Sequence, residues 1–324
     1  MTPACPHCRR SELEPFVSRE ALAEEIALRA PFYGPRIDGK LDPAEKKDRF
    51  AVSHAACAEL RLCRDCGIVV RIEDDAPDFE EEPYAPYVME RMLRAHAEAY
   101  RKKAPVYRAL LPEGAQVVEV GSYVGGFLQV AGEWGWKATG VDVGHDTARF
   151  TRAHAYATRD GALEDAGFDD ASVDAVFIWN CFEQLEPAPL LAEARRILRD
   201  GGLLVLRVPN VLHYAACQAL LPRPADLHHP IVIALGHANL LGWPHLYGYS
   251  AASLERVTRP HAFARERLVS ARHINPTPGR FTLPAIREEE RLEGTLGALD
   301  HAFAALAPES VAGPWLEAVY RAVT

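Results

Sequence analysis

The sequence predicts an α/β fold, a mostly parallel sheet with helices on both faces, preceded by a small cysteine-bearing module and followed by C-terminal helices. Three observations carry this. From Gln116 onward, apolar strand-like runs alternate with amphipathic helical segments, the order that builds parallel sheets. The strand runs are apolar almost throughout, as strands covered on both faces are. Two C-x-x-C pairs, Cys5/Cys8 and Cys63/Cys66, stand ahead of that alternation.

At 324 residues the chain exceeds what one core usually supports, roughly 250 to 300 residues, so two or three parts are expected. Apolar residues at 48% and charged residues at 25% are ordinary for a soluble domain. No apolar run approaches the ~18 residues of a membrane helix. The start, "MTPACPHCRR", lacks the basic and then apolar order of a signal peptide. A cytoplasmic protein without membrane contact is the expectation. The net charge of −9, from 36 basic and 45 acidic residues, repels nucleic acid and acidic surfaces. One basic cluster, Arg101, Lys102, Lys103 and Arg108, reads as a solvated helix face.

Residues 1–72 form the first module, with "SREALAEEIALRA" as an amphipathic helix between the cysteine pairs. Residues 73–111 hold an acidic, proline-bearing linker and then "VMERMLRAHAEAYRKKA", a helix that stops before Pro105. Residues 112–275 form the main domain. Its strands fall at "QVVEV", "KATGVDV", "SVDAVFIWN" and "GLLVLRV", and its helices near 125–133, 146–154 and 187–198. A segment rich in His and Pro runs over 210–250, followed by a helix near "SAASLERVTR" and a strand candidate "ARERLVSAR". Residues 276–324 are expected to add helices near 284–307 and 314–323, with apolar spacing suited to their own domain or to a second subunit.

The strand-to-helix junction "VVEVGSYVGGFL" carries the chemistry. Glycines 121, 125 and 126 let the chain turn sharply into a helix, leaving backbone N–H groups free at the carboxyl end of a strand, where α/β sheets bind ligands. The dinucleotide fingerprint G-x-G-x-x-G fails, because Tyr123 replaces the glycine that lets a pyrophosphate approach. Glu119 would also repel a pyrophosphate, yet it can accept hydrogen bonds from a cationic amino group. S-adenosylmethionine has that ammonium and no phosphate. Asp142, in "GVDV", stands where an acidic side chain accepts bonds from ribose hydroxyls.

These motifs, in this order, resemble the class I S-adenosylmethionine-dependent methyltransferases over roughly residues 112–270. "VVEVGSYVGG", "GVDV", "LEDA", "VDAVFIWNCFEQLEP" and "LLAEARRILRDGGLLVLRVPN" look like the five successive motifs of that family. The resemblance implies a Rossmann-like, mostly parallel sheet of the seven-stranded type and S-adenosylmethionine as cofactor. It places Glu119, Gly121, Ser122, Tyr123 and Gly125 along the methionine part, and Asp142, with Val143 beside it, on the ribose. Glu164, Asp165 and Ala166 would surround adenine, while Asn180, Cys181 and Phe182 would border the methyl group. Two departures stand out: Tyr123 replaces the usual second loop glycine, and Gln184 stands where many relatives have a histidine after glutamate. Cys181 reads as a small buried residue rather than a nucleophile.

"CPHC" and "CRDCG" each offer two thiolates on a tight turn, and two such knuckles complete a closed tetrahedral zinc site. The expected ligands are Cys5, Cys8, Cys63 and Cys66, with His7, His54 and Cys57 as competitors. "CRDCGIVVRIE" is similar to the zinc ribbon that often precedes the catalytic domain in such methyltransferases. A closed four-thiolate site leaves no position for water, so the Zn2+ is expected to be structural.

Methyl transfer needs the acceptor atom held in line with the methyl group, and a base only where the acceptor must lose a proton. Acceptor residues are expected from the linker helix near 84–103 and from the 210–250 segment, which supplies His213, His228, His229, His237 and His245, with Tyr214, Trp243, Tyr247 and Tyr249. His245 in "GWPHLYGYS" is the first candidate base, with Tyr247 and Tyr214 as further catalytic candidates. A small-molecule acceptor, such as a metabolite, sugar or natural-product intermediate, is the leading reading. A second reading has the zinc module dock RNA or a protein substrate. A third, NAD-dependent oxidoreduction, is opposed by Glu119 and Tyr123.

Overall fold

The computed structural model describes residues 4–9, 13–25, 27–28, 57–73, 86–221, 245–271, 311 and 313–324. The helix expected near 284–307, the linker at 74–85, and His54, His228, His229, His237 and Trp243 lie outside the described residues. In chain order come strands β1 (Leu13–Val17), β2 (Cys57–Cys63) and β3 (Val69–Glu73), then helices α1 (Pro86–Arg101) and α2 (Ala104–Tyr107). Next come β4 (Gln116–Val120), α3 (Gly126–Glu133), β5 (Lys137–Asp142), α4 (His145–Ala153), β6 (Ala157–Asp160) and β7 (Val173–Trp179). The remainder comprises α5 (Pro187–Ile197), β8 (Leu198–Pro209), α6 (Val211–Leu220), β9 (Tyr247–Gly248), α7 (Ala251–Thr258), β10 (Phe263–Ala271) and β11 (Trp315–Ala322).

The main sheet has seven strands in the order β10-β11-β8-β7-β4-β5-β6. Strands β6, β5, β4, β7 and β8 run parallel, whereas β11 is antiparallel to both β8 and β10. From β4 the chain winds one way to β5 and β6, then returns to the other side of β4 for β7. That reversal opens a crevice beyond the carboxyl ends of β4 and β7, the place where open α/β sheets take ligands. The strands expected in the main domain form where their apolar runs sit, since β7 and β8 are covered on both faces. Strand β6, "ATRD", has no such run and is mostly exposed at the sheet edge.

Segment 314–323 is a strand and not the expected helix. "WLEAVYRA" is buried on both faces, every residue but Arg321, because it is inserted between β8 and β10. A helical reading of its apolar spacing missed that both faces are covered. Its register sets Glu317 opposite Arg207, with Arg207 Nε 3.2 Å from Glu317 Oε1. Lys103 Nζ and Tyr107 Oη also donate to Glu317. Burial alone would raise the Glu317 carboxyl, but Lys103 and Arg207 together bring it below the usual range.

One face of the sheet packs an aromatic core. Phe127 and Phe177 have ring centroids 4.7 Å apart, and Trp179 lies 5.7 Å from both Phe127 and Tyr100. Such pairs each add about 0.5–1.5 kcal/mol beyond area burial. The smaller sheet, ordered β1-β2-β3-β9, joins the core of the opposite face: Cys5, Cys63 and Ile68 cluster with Phe182, Tyr249 and Leu254. The module is therefore built into the main domain through β9. Among the described residues, no helix is long and apolar enough to cross a membrane.

Candidate functional site

A cavity of about 570 Å³ occupies the crevice. Its floor is the turn after β4. Gly121 and Gly125 have φ of +73° and +80°, conformations that L side chains resist. A Cβ on Gly121 would lie 2.7 Å from Cys181 Sγ, so the turn needs a bare backbone there. Gly126 opens α3 and lets α1 lie close, since its Cβ would be 2.4 Å from the His96 Cβ.

Two carboxylates face this floor. Asp142 Oδ2 accepts from the Tyr123 N–H at 2.7 Å, and Oδ1 accepts from the Gly144 N–H at 2.8 Å and from Thr147 Oγ1 at 2.9 Å. A carboxylate has roughly four acceptor positions, so about one remains for a ligand. Glu119 is 2% exposed, and among the described residues its Oε2 has no hydrogen-bond partner. Burial, with the nearby Asp142 charge, holds its carboxyl well above the usual range. Left without a cation, Glu119 keeps its proton. Ser122 Oγ is a second buried oxygen here without a hydrogen-bond partner among the described residues.

Of the residues expected to hold a cofactor, Glu119, Gly121, Ser122, Tyr123, Asp142, Val143, Glu164, Asn180 and Cys181 line the cavity. The others do not reach its wall. Gly125 caps α3. Phe182 is 0% exposed, its ring turned into the core 5.1 Å from Tyr249. Ala166 offers its carbonyl to Arg159, and the short turn Leu163–Asp165 gives the wall Leu163 and Glu164 but not Asp165.

The helix near 84–103, expected to supply acceptor residues, does form part of the cavity wall as α1, although the sequence did not single out which of its residues face the cavity. His96 and Tyr100, four residues apart on one helical face, both line the cavity, and the His96 ring lies 5.9 Å from that of Tyr123. Burial lowers His96 to about 4, so its imidazole is neutral at physiological pH. The signal was present in the His96/Tyr100 spacing, but nothing in the sequence says that this face covers a cavity rather than a core.

The catalytic candidates are placed less directly. His245 is 7% exposed, and its Nε2 lies 3.4 Å from Glu183 Oε1. Glu183 follows β7, is fully buried and, among the described residues, has no hydrogen-bonded partner on either oxygen; burial pushes its carboxyl up to about 8. The backbone of Leu246 ties the two sheets together, its N–H donating to Glu183 O at 2.8 Å and its carbonyl accepting from the Arg71 N–H at 3.0 Å. Neither His245 nor Glu183 lines the cavity, although Gln184, next in the chain, does. Tyr214 lies elsewhere, with its hydroxyl donating to the buried Glu25 at 2.5 Å. Tyr247 is held in β9 among Cys5, Cys63 and Tyr249.

The four expected cysteines come together. All their sulfurs lie within 4.8 Å of one another, with Cys5 to Cys66 at 3.7 Å and Cys8 to Cys63 at 3.5 Å. Four sulfurs about 2.3 Å from one zinc would stand roughly 3.8 Å apart, so the spacing fits a tetrahedral metal and is too long for disulfides. Burial raises the Cys5 and Cys66 thiols, and a cation is what would offset the cost of ionising them. The side chain of Cys57 lies outside the described residues.

The chain is similar to known proteins over part of its length. Residues 118–206 match the family model described as a methyltransferase domain. A Mycolicibacterium smegmatis protein, "Probable S-adenosylmethionine-dependent methyltransferase", is 29% identical over 150 residues, which span 43% of this chain and 57% of that protein. The chain thus spans little more than half the length of this curated relative. Similar solved structures include a chain from a complex between the Haloferax volcanii Trm112 methyltransferase activator and a methyltransferase, at 17% identity and TM-score 0.47, covering 76% of this chain and 100% of that one. Another is an S-adenosylmethionine-dependent methyltransferase from Archaeoglobus fulgidus, at 14% identity and TM-score 0.46, covering 72% of this chain and 98% of that one.

Proposed function

We propose that the methyltransferase domain at residues 118–206 makes this chain an S-adenosylmethionine-dependent methyltransferase that acts on a small-molecule acceptor. The observation that carries the reading is the buried, unpartnered Glu119 Oε2 on a glycine turn beside Asp142. That pair suits a ligand bearing an ammonium and ribose hydroxyls and repels one bearing phosphates. S-adenosylmethionine, when bound, supplies an electrophilic methyl group on a sulfonium. Glu119 would take its amino group, the remaining acceptor position of Asp142 its ribose, and the Leu163–Glu164 wall its adenine.

The chain's own contribution is to orient and to exclude water. Trp179 and Tyr100 line the cavity, and aromatic rings beside the cofactor would favour a sulfonium charge. For an acceptor that must lose a proton, His245 is the base we propose, since it lies behind the cavity wall next to Glu183, whose chain neighbour Gln184 lines the cavity. Glu183 Oε1, 3.4 Å from His245 Nε2, would orient the imidazole on closing to hydrogen-bond distance, as a third group does in base-assisted sites. Zinc on Cys5, Cys8, Cys63 and Cys66 would fix the module on which β9 and His245 hang, a structural role.

The net charge of −9 weighs against an RNA substrate, while a protein substrate would engage the module's outer face. The test is acceptor-dependent conversion of S-adenosylmethionine to S-adenosylhomocysteine by the full chain against a panel of small metabolites, unmodified RNA and protein extract. Turnover with metabolites supports the reading, and turnover confined to RNA or protein overturns the acceptor class.

A further inference from the structure

The cavity wall formed by Asn180 is held from behind by a buried arginine that the proposed chemistry does not use. Arg207 is 0% exposed, and its Nη1 donates to Asn180 Oδ1. The Asn180 N–H donates to the Arg207 carbonyl at 3.1 Å, and Gln184 Nε2 donates to the Asn180 carbonyl at 3.1 Å. These bonds lock Asn180 at φ 56°, a left-handed conformation that asparagine tolerates better than most residues.

The orientation of the amide follows from chemistry. A guanidinium has five N–H donors and no acceptor, so only the amide oxygen can face it. With Oδ1 committed to Arg207, Nδ2 is the polar atom that Asn180 has left for the cavity it lines. Arg207 is itself fixed by Glu317, which Lys103 and Tyr107 also hold, and it lies over the Trp315 ring at 4.3 Å. The bond network from Lys103 through Glu317 and Arg207 holds the guanidinium against the Asn180 amide oxygen.

We infer that Arg207 is a positioning residue that turns the Asn180 amide so that the cavity offers a hydrogen-bond donor beside Gly121 and Cys181. The transfer end of the site then recognises an acceptor molecule through an anionic or carbonyl oxygen and disfavours a protonated amine. The opposite polarity belongs to Glu119 and Asp142, at the ends of β4 and β5, which accept. The inference rests on the cofactor reading above and adds the polarity of the group to be methylated.

Two analogues read this directly. S-adenosylhomocysteine lacks the transferable methyl, and sinefungin carries a primary amine where that methyl stands. Affinities of both are measured by calorimetry on the full chain, in wild type and in Asn180→Asp. The new carboxylate keeps a charge-assisted bond to Arg207, so the fold is retained, and it turns an acceptor toward the cavity. The expected result is an affinity ratio displaced toward sinefungin by about threefold or more, with Arg207→Met, which frees the amide to rotate, moving it the same way. A merely structural loss would weaken both ligands together and leave the ratio in place. A smaller displacement in Asn180→Asp, or one toward S-adenosylhomocysteine, overturns the inference and leaves the cofactor reading intact. Failure of the wild type to bind S-adenosylhomocysteine overturns the cofactor reading and this inference with it.

Discussion

His245 Nε2 and Glu183 Oε1 lie 3.4 Å apart with both side chains buried, and the backbone of Leu246 fixes the separation from both sheets. Burial raises the Glu183 carboxyl from 4.5 to about 8, against the opposing charge of Arg207 and beside Cys181 and Tyr249, themselves raised by burial. A carboxyl raised in the folded state contributes stability that is complete below pH 4.5 and is lost as pH rises through about 8. The melting temperature should therefore fall between those limits more steeply in wild type than in Glu183→Gln, as followed by scanning fluorimetry. Parallel profiles would show that Glu183 ionises freely.

The same pair makes a kinetic prediction. With an acceptor in hand that must lose a proton, His245→Asn should lower kcat by about 10²–10⁴ with cofactor affinity unchanged. Glu183→Gln should cost less, because the amide has the shape of the protonated carboxyl that burial favours and leaves the imidazole in place. Steady-state rates set against calorimetric cofactor affinities separate the two effects. Full turnover in His245→Asn would remove the base assignment.

Gly121→Ala meets two obstacles at once, a φ of +73° and a Cβ 2.7 Å from Cys181 Sγ. The left-handed conformation alone costs about 1–2 kcal/mol. S-adenosylmethionine affinity is expected to drop at least about tenfold while circular dichroism stays native-like. Unchanged affinity would show that the turn moves freely.

For the thiolate cluster, elemental analysis of protein purified without chelator should find about one zinc per chain. Cys63→Ser should lose the metal and lower the melting temperature by several degrees. Hydrogen exchange should then speed up at Tyr247–Gly248, which pairs with β3. Metal-free protein of wild-type stability would refute a structural zinc.

Much of this was legible in the sequence because buried parallel strands advertise themselves. "SVDAVFIWN" and "GLLVLRV" carry their burial in their composition, and the glycine turn states where the chain must bend. The four cysteines were legible as two knuckles, since only spacing within each pair is needed. What escaped depends on neighbours distant in sequence. Strand β11 is set by β8 and β10 on either side, and Glu317 meets Arg207 only through that register. Glu183 sat in plain view in "FEQLEP", but its importance comes from burial and from His245, neither visible in the local pattern. His96 faces a cavity only because Gly126 lets α1 approach α3.

The central claim is a cofactor held by an ionisable, otherwise unpartnered Glu119. Calorimetric titration of S-adenosylmethionine into wild type and Glu119→Gln tests it most directly, because the amide has the shape of the protonated acid and leaves the fold undisturbed. The account predicts micromolar binding to wild type and at least tenfold weaker binding to the variant, a loss of about 1.4 kcal/mol. Equal affinities, or no binding to wild type, would contradict it.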